Sequence, residues 1–335
     1  MGYEPHMVDT VYQLITENME QVYADKPGLR YRGGDGRIVT VTFGAYAKDI
    51  RRCAGWLEAA LHGAAGRRVC LLGRNSYPYA VAILALLAAE TVQIPLNPSK
   101  SWEELSYELG LVEPDAILWD GGDYPWRDQL LAAYGGKLLP IDGYEGCAPA
   151  QLHEAADPRA LSMIMFTSGT TGRSKGVMLN QWSIMVTGRD SICSWPPMVE
   201  RARAMGIPDE KFQLNHFSTL PLFHIAAYAN LLHWPLYGTA TNLADARSFY
   251  RDLADMPSES MAVVPAIAEM LHRDILRDRR DKIGACICCE PADEEAVRDH
   301  ITRLNRTLPL YKRIAAVHLS EGPLPRNAAG KLLRK

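Results

Sequence analysis

A chain of 335 residues has room for about two domains of ordinary size. Its net charge of -3, with no clustered basic excess, argues against a nucleic-acid surface. At 47% hydrophobic and 22% charged, with 21 prolines and 26 glycines dispersed, it reads as a folded α/β protein rather than a disordered or fibrous one.

Apolar residues at helical spacing predict a first helix over residues 8–23, with Asp9 and Thr10 at its cap. Two short strands, at 29–31 and 38–42, flank a Gly-Gly-Asp-Gly turn at 33–36. Helices at 43–61, 78–89 and 102–111 then alternate with strands at 68–72, 92–96 and 116–119. That alternation indicates parallel βαβ units in a sheet covered on both faces. Further on, 161–166 reads as a strand, 263–265 as a strand opening into a helix and 283–289 as a strand. Residues 293–305 read as a helix, and 308–319 as a turn leading into a strand. The longest apolar run, 80–89, is far short of the roughly 20 residues of a membrane span, and no leader pattern opens the chain. The expectation is a cytoplasmic protein with no membrane span. The seven cysteines are odd in number and scattered, without a Cys-x-x-Cys pair. Cys286, Cys288 and Cys289 fall on alternate faces of a strand, which favours a reduced, buried strand over a zinc site.

The chemistry is concentrated between Met163 and Val177. Behind the apolar strand stand Thr167, Ser168, Gly169, Thr170, Thr171 and Gly172, then Arg173, Ser174, Lys175 and Gly176. Glycines 169, 172 and 176 let the backbone approach an anion with positive φ, the hydroxyls add donors, and Lys175 adds a mobile positive charge. This composition suits a polyphosphate. A Walker loop is excluded, because Gly172 is followed by Arg173 and Ser174 before the lysine.

The segment resembles the phosphate-binding signature of the adenylate-forming enzymes, a superfamily that includes acyl- and aryl-CoA ligases. The family's proline is replaced here by Ser174, a change of loop stiffness more than of chemistry. At the other end, Leu324-Pro-Arg-Asn-Ala-Ala-Gly-Lys331 is similar to the family's terminal Pro-x-x-x-x-Gly-Lys segment. The segments 39–46, 71–79, 94–98 and Leu220-Pro-Leu-Phe-His224 also fit the family in order. The resemblance implies an α/β fold of two doubly wound sheet-and-helix subdomains, the second incomplete, with a small α+β C-terminal remnant. It divides the chain into an AMP-binding large domain over 1–282, lacking its β-rich subdomain, and a remnant of the lid domain over 283–335. The family's Tyr-Gly-x-Thr-Glu and Thr-Gly-Asp segments have no counterpart, so the metal-ligating glutamate, the ribose-binding aspartate and the hinge arginine are assigned to no position.

The resemblance further implies ATP-dependent activation of a fatty or aryl acid, with Mg²⁺ and with coenzyme A as co-substrate. Residues 167–172 and Lys175 would hold phosphate, Lys331 would be the catalytic lysine, and His224 would line the acyl pocket. The alternative is a non-catalytic nucleotide-binding remnant, or an internally deleted fragment of such a ligase.

Overall fold

The computed structural model describes residues 4–167, 173–190, 195–281, 283–288, 293–307 and 314–320. Thr10 caps a short helix, α1 (Val11–Gln13), by accepting from the Gln13 amide. The chain continues without a break as a π-helix over Leu14–Val22, whose wider turns place the Tyr23 N–H on the Asn18 carbonyl at 2.8 Å. The hairpin β1 (Pro27–Arg32) and β2 (Ile38–Thr42) follows, and Thr42 caps α2 (Phe43–Ala60). Next come β3 (Arg68–Leu72), α3 (Tyr77–Ala88), β4 (Val92–Leu96), α4 (Trp102–Val112), β5 (Ala116–Trp119), α5 (Arg127–Tyr134) and β6 (Leu138–Pro140). The chain then forms β7 (Leu161–Thr167), β8 (Lys175–Asn180), α6 (Gln181–Asp190), α7 (Trp195–Ala204), β9 (Asn215–Ser218) and α8 (Ile225–His233). The first compact unit, which ends at Ala262, closes with β10 (Ala240–Leu243), α9 (Phe249–Asp255) and β11 (Ser260–Ala262).

Two sheets organise this unit. One has the strand order β6-β5-β3-β4-β7-β8, parallel except for the terminal β7–β8 pair. The other runs β11-β9-β10-β1-β2, parallel except for the β1–β2 hairpin. The hairpin near the start of the chain therefore completes a sheet built from its later residues, with Leu29 opposite Thr241. Helix α3 is apolar all round, and every side chain from Tyr79 to Leu87 is buried. An amphipathic helix could not sit there. Its core cluster joins α2, α3 and α8 to both sheets, while Cys70, Ile94, Leu105, Leu109, Ile117 and Trp126 form a second cluster. Burial pushes the Cys53 and Cys70 thiols well above their ordinary range, so both are inert, protonated fillers of the core.

From Val263 a separate compact unit begins, earlier than the boundary at 282 expected from sequence. It contains α10 (Pro265–Asp281), β12 (Ile283–Cys288), α11 (Glu294–Thr307) and β13 (Ile314–Ser320). The expected strand at 263–265 lies three residues earlier, as β11, because Pro265 opens a helix instead, where its fixed φ is already helical. Strands β12 and β13 pair in parallel, with Cys286 opposite His318, and α11 lies between them in sequence, so this piece is a βαβ unit.

Candidate functional site

Strand β7 buries Ser162, Met163 and Met165, exposes its two end residues and lies between β4 and β8. Its last residue, Thr167, is the register partner of Lys175, the first residue of β8, and the Thr167 hydroxyl donates to the Lys175 carbonyl at 3.4 Å. The loop is therefore closed as a hairpin, strand to strand. A Walker loop runs from strand to helix and borrows the helix N-terminus; here no helix stands directly behind the loop. Both Thr167 and Lys175 are exposed at the mouth of the hairpin. Gly176 plays a part other than the one its motif suggests. It sits in β8 without positive φ, and a Cβ there would come 2.8 Å from Ile164 Cγ2, so the glycine serves close packing between the strands.

The returning limb of the hairpin loop is held from α4 and from the turn just before it. The Arg173 guanidinium lies over the Tyr107 ring at 5.2 Å, and Lys100 Nζ donates to Ser174 Oγ at 3.1 Å. Ser174 thus offers a hydrogen-bond acceptor, where stiffness was expected to change more than chemistry.

A cavity of about 860 Å³ opens at the carboxyl ends of the parallel strands of both sheets. Ligands in open α/β sheets bind at such ends. Tyr31, Tyr77 and Tyr124 supply aromatic wall. Tyr77 stacks on Tyr31 with centroids 5.4 Å apart and donates to Asp49 at 2.8 Å. Burial, then that carboxylate, pushes the Tyr77 phenol far above its ordinary range. Tyr31 and Tyr124 are also raised, mainly by burial, so the three phenols stay neutral and serve as walls and donors rather than bases. Of the three lining arginines, Arg32 is paired with Asp252 and Asp255, and Arg247 with Asp245. Arg74 has no carboxylate partner among the described residues; its guanidinium lies 5.4 Å from the Tyr124 ring centroid.

Asn75, on the cavity wall after β3, joins the two sheets. Its Nδ2 donates to the Leu220 carbonyl and its Oδ1 accepts from the Leu222 amide, both at 2.8 Å. The turn it grips ends at His224, which is the N-cap of α8: His224 Nδ1 accepts from the Ala226 amide at 3.4 Å. His224 is exposed, and Pro221 and Phe223, rather than His224, line the cavity. Tyr228 and Trp234, further along, are buried; Trp234 packs on His216 at 4.4 Å.

The AMP-binding enzyme family matches residues 16–311. The chain belongs to the AMP-binding enzymes. It is 29% identical over 288 residues to the sulfoacetate–CoA ligase of Cupriavidus necator, a match covering 81% of this chain and 52% of that ligase. This AMP-binding chain thus spans about half the length of that relative. The inhibitor-bound N-terminal domain of FACL13 from Mycobacterium tuberculosis superposes with a TM-score of 0.64 at 21% identity, covering 79% of this chain and 65% of that domain. The o-succinylbenzoate coenzyme A synthetase of Bacillus subtilis, solved with ATP and magnesium, gives 0.61 at 18% identity, covering 85% and 69%. Both establish the fold, two parallel-dominated sheets flanked by helices.

Of the positions that sequence assigned in this AMP-binding chain, the structure brings Thr167 and Lys175 together at the hairpin and sets His224 at the head of α8. Ser168, Gly169, Thr170, Thr171, Gly172 and Lys331 lie outside the described residues. Among the described residues no group of three His, Cys, Asp or Glu side chains forms a metal cage, and no helix is long and apolar enough to cross a membrane. Sequence reasoning missed Asn75, although it stood inside a quoted segment. An asparagine just past a buried strand, where a polar side chain needs partners, was the available signal.

Proposed function

We propose that this chain activates a carboxylic acid with ATP and then passes the acyl group to a thiol, coenzyme A. The carboxylate oxygen attacks the α-phosphorus, the bond to the bridging oxygen breaks, and pyrophosphate leaves with the electron pair. The acyl-adenylate is then captured by the thiol, and AMP departs. The observation that carries this reading is the closed β7–β8 hairpin, with its hydroxyls, glycines and Lys175, in a chain of the AMP-binding family.

The barrier to such a step is chiefly electrostatic, because an anionic nucleophile approaches an anionic ester. Residues 167–172 and Lys175 grip the β- and γ-phosphates. Lys331, by its resemblance to the family's terminal lysine, bridges the carboxylate and the α-phosphate. Mg²⁺ enters with ATP as part of the substrate, carried on phosphate oxygens. We assign the organic substrates to the cavity at the strand ends and favour a fatty or aryl acid, since its tyrosine walls are neutral and suit an apolar body.

The second reading, a nucleotide-binding remnant without catalysis, is favoured by one observation. The family's ribose-binding aspartate and metal-ligating glutamate match no position of this sequence. Pyrophosphate exchange into ATP, run with aliphatic, aromatic and amino acids, separates the two. Exchange with any acid supports adenylation and names the class; none from a folded, monodisperse sample supports the remnant.

A further inference from the structure

We propose that Lys100 is a positioning residue for the phosphate-binding hairpin, fixing its returning limb so that Lys175 is presented in one place. Three consecutive residues are involved, Arg173, Ser174 and Lys175, and the first two are gripped from α4 and from the residue just before its N-cap. Lys100 stands just before the Ser101–Glu104 capping box of α4, and its ammonium is held between Ser174 Oγ at 3.1 Å and the Glu108 carboxylate. Tyr107, the neighbour of Glu108, carries the Arg173 guanidinium on its ring. The platform is rigid: Leu105 and Leu109 of α4 are fully buried, and the Lys100 amide is tied to the Asn97 carbonyl at 3.3 Å.

Glu108 makes the arrangement more than incidental. Its side chain is wholly withdrawn from water, on a helix face that otherwise packs leucines, and its Oε2 accepts no hydrogen bond from the protein. Stability alone would favour an apolar residue there, since a buried ion pair seldom repays its desolvation. What Glu108 provides is a fixed direction for the Lys100 ammonium. The Lys100 side chain is 18% exposed and the residue lines the cavity, so it stands where the strand-end cavity meets the hairpin. The family pattern restrains this point of the loop with a proline ring; here a hydroxyl held by an oriented cation does so.

The test uses two variants of the whole chain. Ser174→Ala removes the acceptor and leaves the ion pair intact. Lys100→Met with Glu108→Leu removes the donor without stranding a buried charge. The first readout is hydrogen exchange of peptides covering residues 173–180, with α2 and α3 peptides as the check on the global fold. Each variant is expected to lower protection of the limb by about tenfold, the worth of one hydrogen bond to a charged donor, and the combined variant to add little because one bond is lost in both. The second readout, which rests on the adenylation reading, is KM for ATP in pyrophosphate exchange: about a tenfold rise with kcat nearly unchanged. Unchanged limb protection in Ser174→Ala overturns the proposal. A chain without exchange activity removes only the second readout, so the failure of the adenylation reading and the failure of this one are distinguishable.

Discussion

Asn75 engages both ends of its amide on the backbone of one turn, and the result is long-range: the end of β3 is fastened to the segment that leads into α8. Asn75→Ala leaves the Leu222 amide and the Leu220 carbonyl without partners, at a cost of about 1 to 3 kcal/mol in urea unfolding. Asn75→Asp keeps the acceptor for Leu222 and is expected to lose less; equal losses in the two would deny the clamp its direction. His216 offers a pH test. It is buried on β9, with Nδ1 at 3.0 Å from Ser260 Oγ and Nε2 facing the Asn230 amide, and burial lowers it to about 4. Between about pH 4 and the ordinary histidine value near 6.5, the unfolded chain binds a proton that the folded chain refuses. Stability is therefore whole above 6.5 and declines as pH falls towards 4, by about 3 kcal/mol from this residue. His233, also lowered by burial, adds in the same direction. His216→Asn should flatten the slope of unfolding free energy against pH; an unchanged slope would assign the acid sensitivity elsewhere. At the hairpin, Lys175→Ala is expected to leave the fold intact and to cut exchange by roughly a hundred- to a thousandfold, the usual effect of losing one preorganised charge.

Helix α6 leaves β8 and packs on α8, so the hairpin and the His224 cap are joined through two helices. Their contact is close because Gly188 has no side chain: a Cβ there would meet the His233 ring at 2.3 Å, while His233 Nε2 donates to the Ile184 carbonyl at 2.9 Å. Gly188→Ala should therefore cost about 1 to 3 kcal/mol by overpacking, despite alanine's better helix propensity, and thermal unfolding would reveal a gain instead if the helices can part. The element scale is also where the sequence was most legible. The strands at 68–72, 92–96 and 116–119 stand as read, because short apolar runs between helical periods mark their own ends. The family resemblance was legible for a different reason: hydroxyls, glycines and a lysine stand together in order behind a strand. Partner choice was not legible. Nothing near Leu29 announces that β1 will pair with Thr241, since that preference arises only when two distant faces bury each other. The π-helix escaped because its period departs too little from 3.6 over two turns, and Gly176 was misread because a packing glycine and an anion-loop glycine are the same residue in composition.

At the scale of the molecule, the hairpin that carries the candidate site is also the edge of its sheet. Strand β8 pairs with β7 on one side, ends the strand order on the other, and is exposed along its first four residues. Val177 is 42% exposed and Met178 72%, so this edge is apolar as well as without a strand partner among the described residues. Such an edge is a template for another strand unless something covers it, and natural sheets usually guard it with charge, proline or a bulge. Lys175 is the one charged residue of the strand, and it stands at the loop end, leaving the stretch from Val177 to Leu179 unguarded. The chain should therefore self-associate with rising concentration through β8. Met178→Lys places a charge at the most exposed point of that edge and is expected to shift sedimentation towards the monomer, with exchange activity unchanged if association and catalysis are separate. Should activity fall as the monomer forms, the edge contact is part of what holds the hairpin in shape, and the working unit is the associated form.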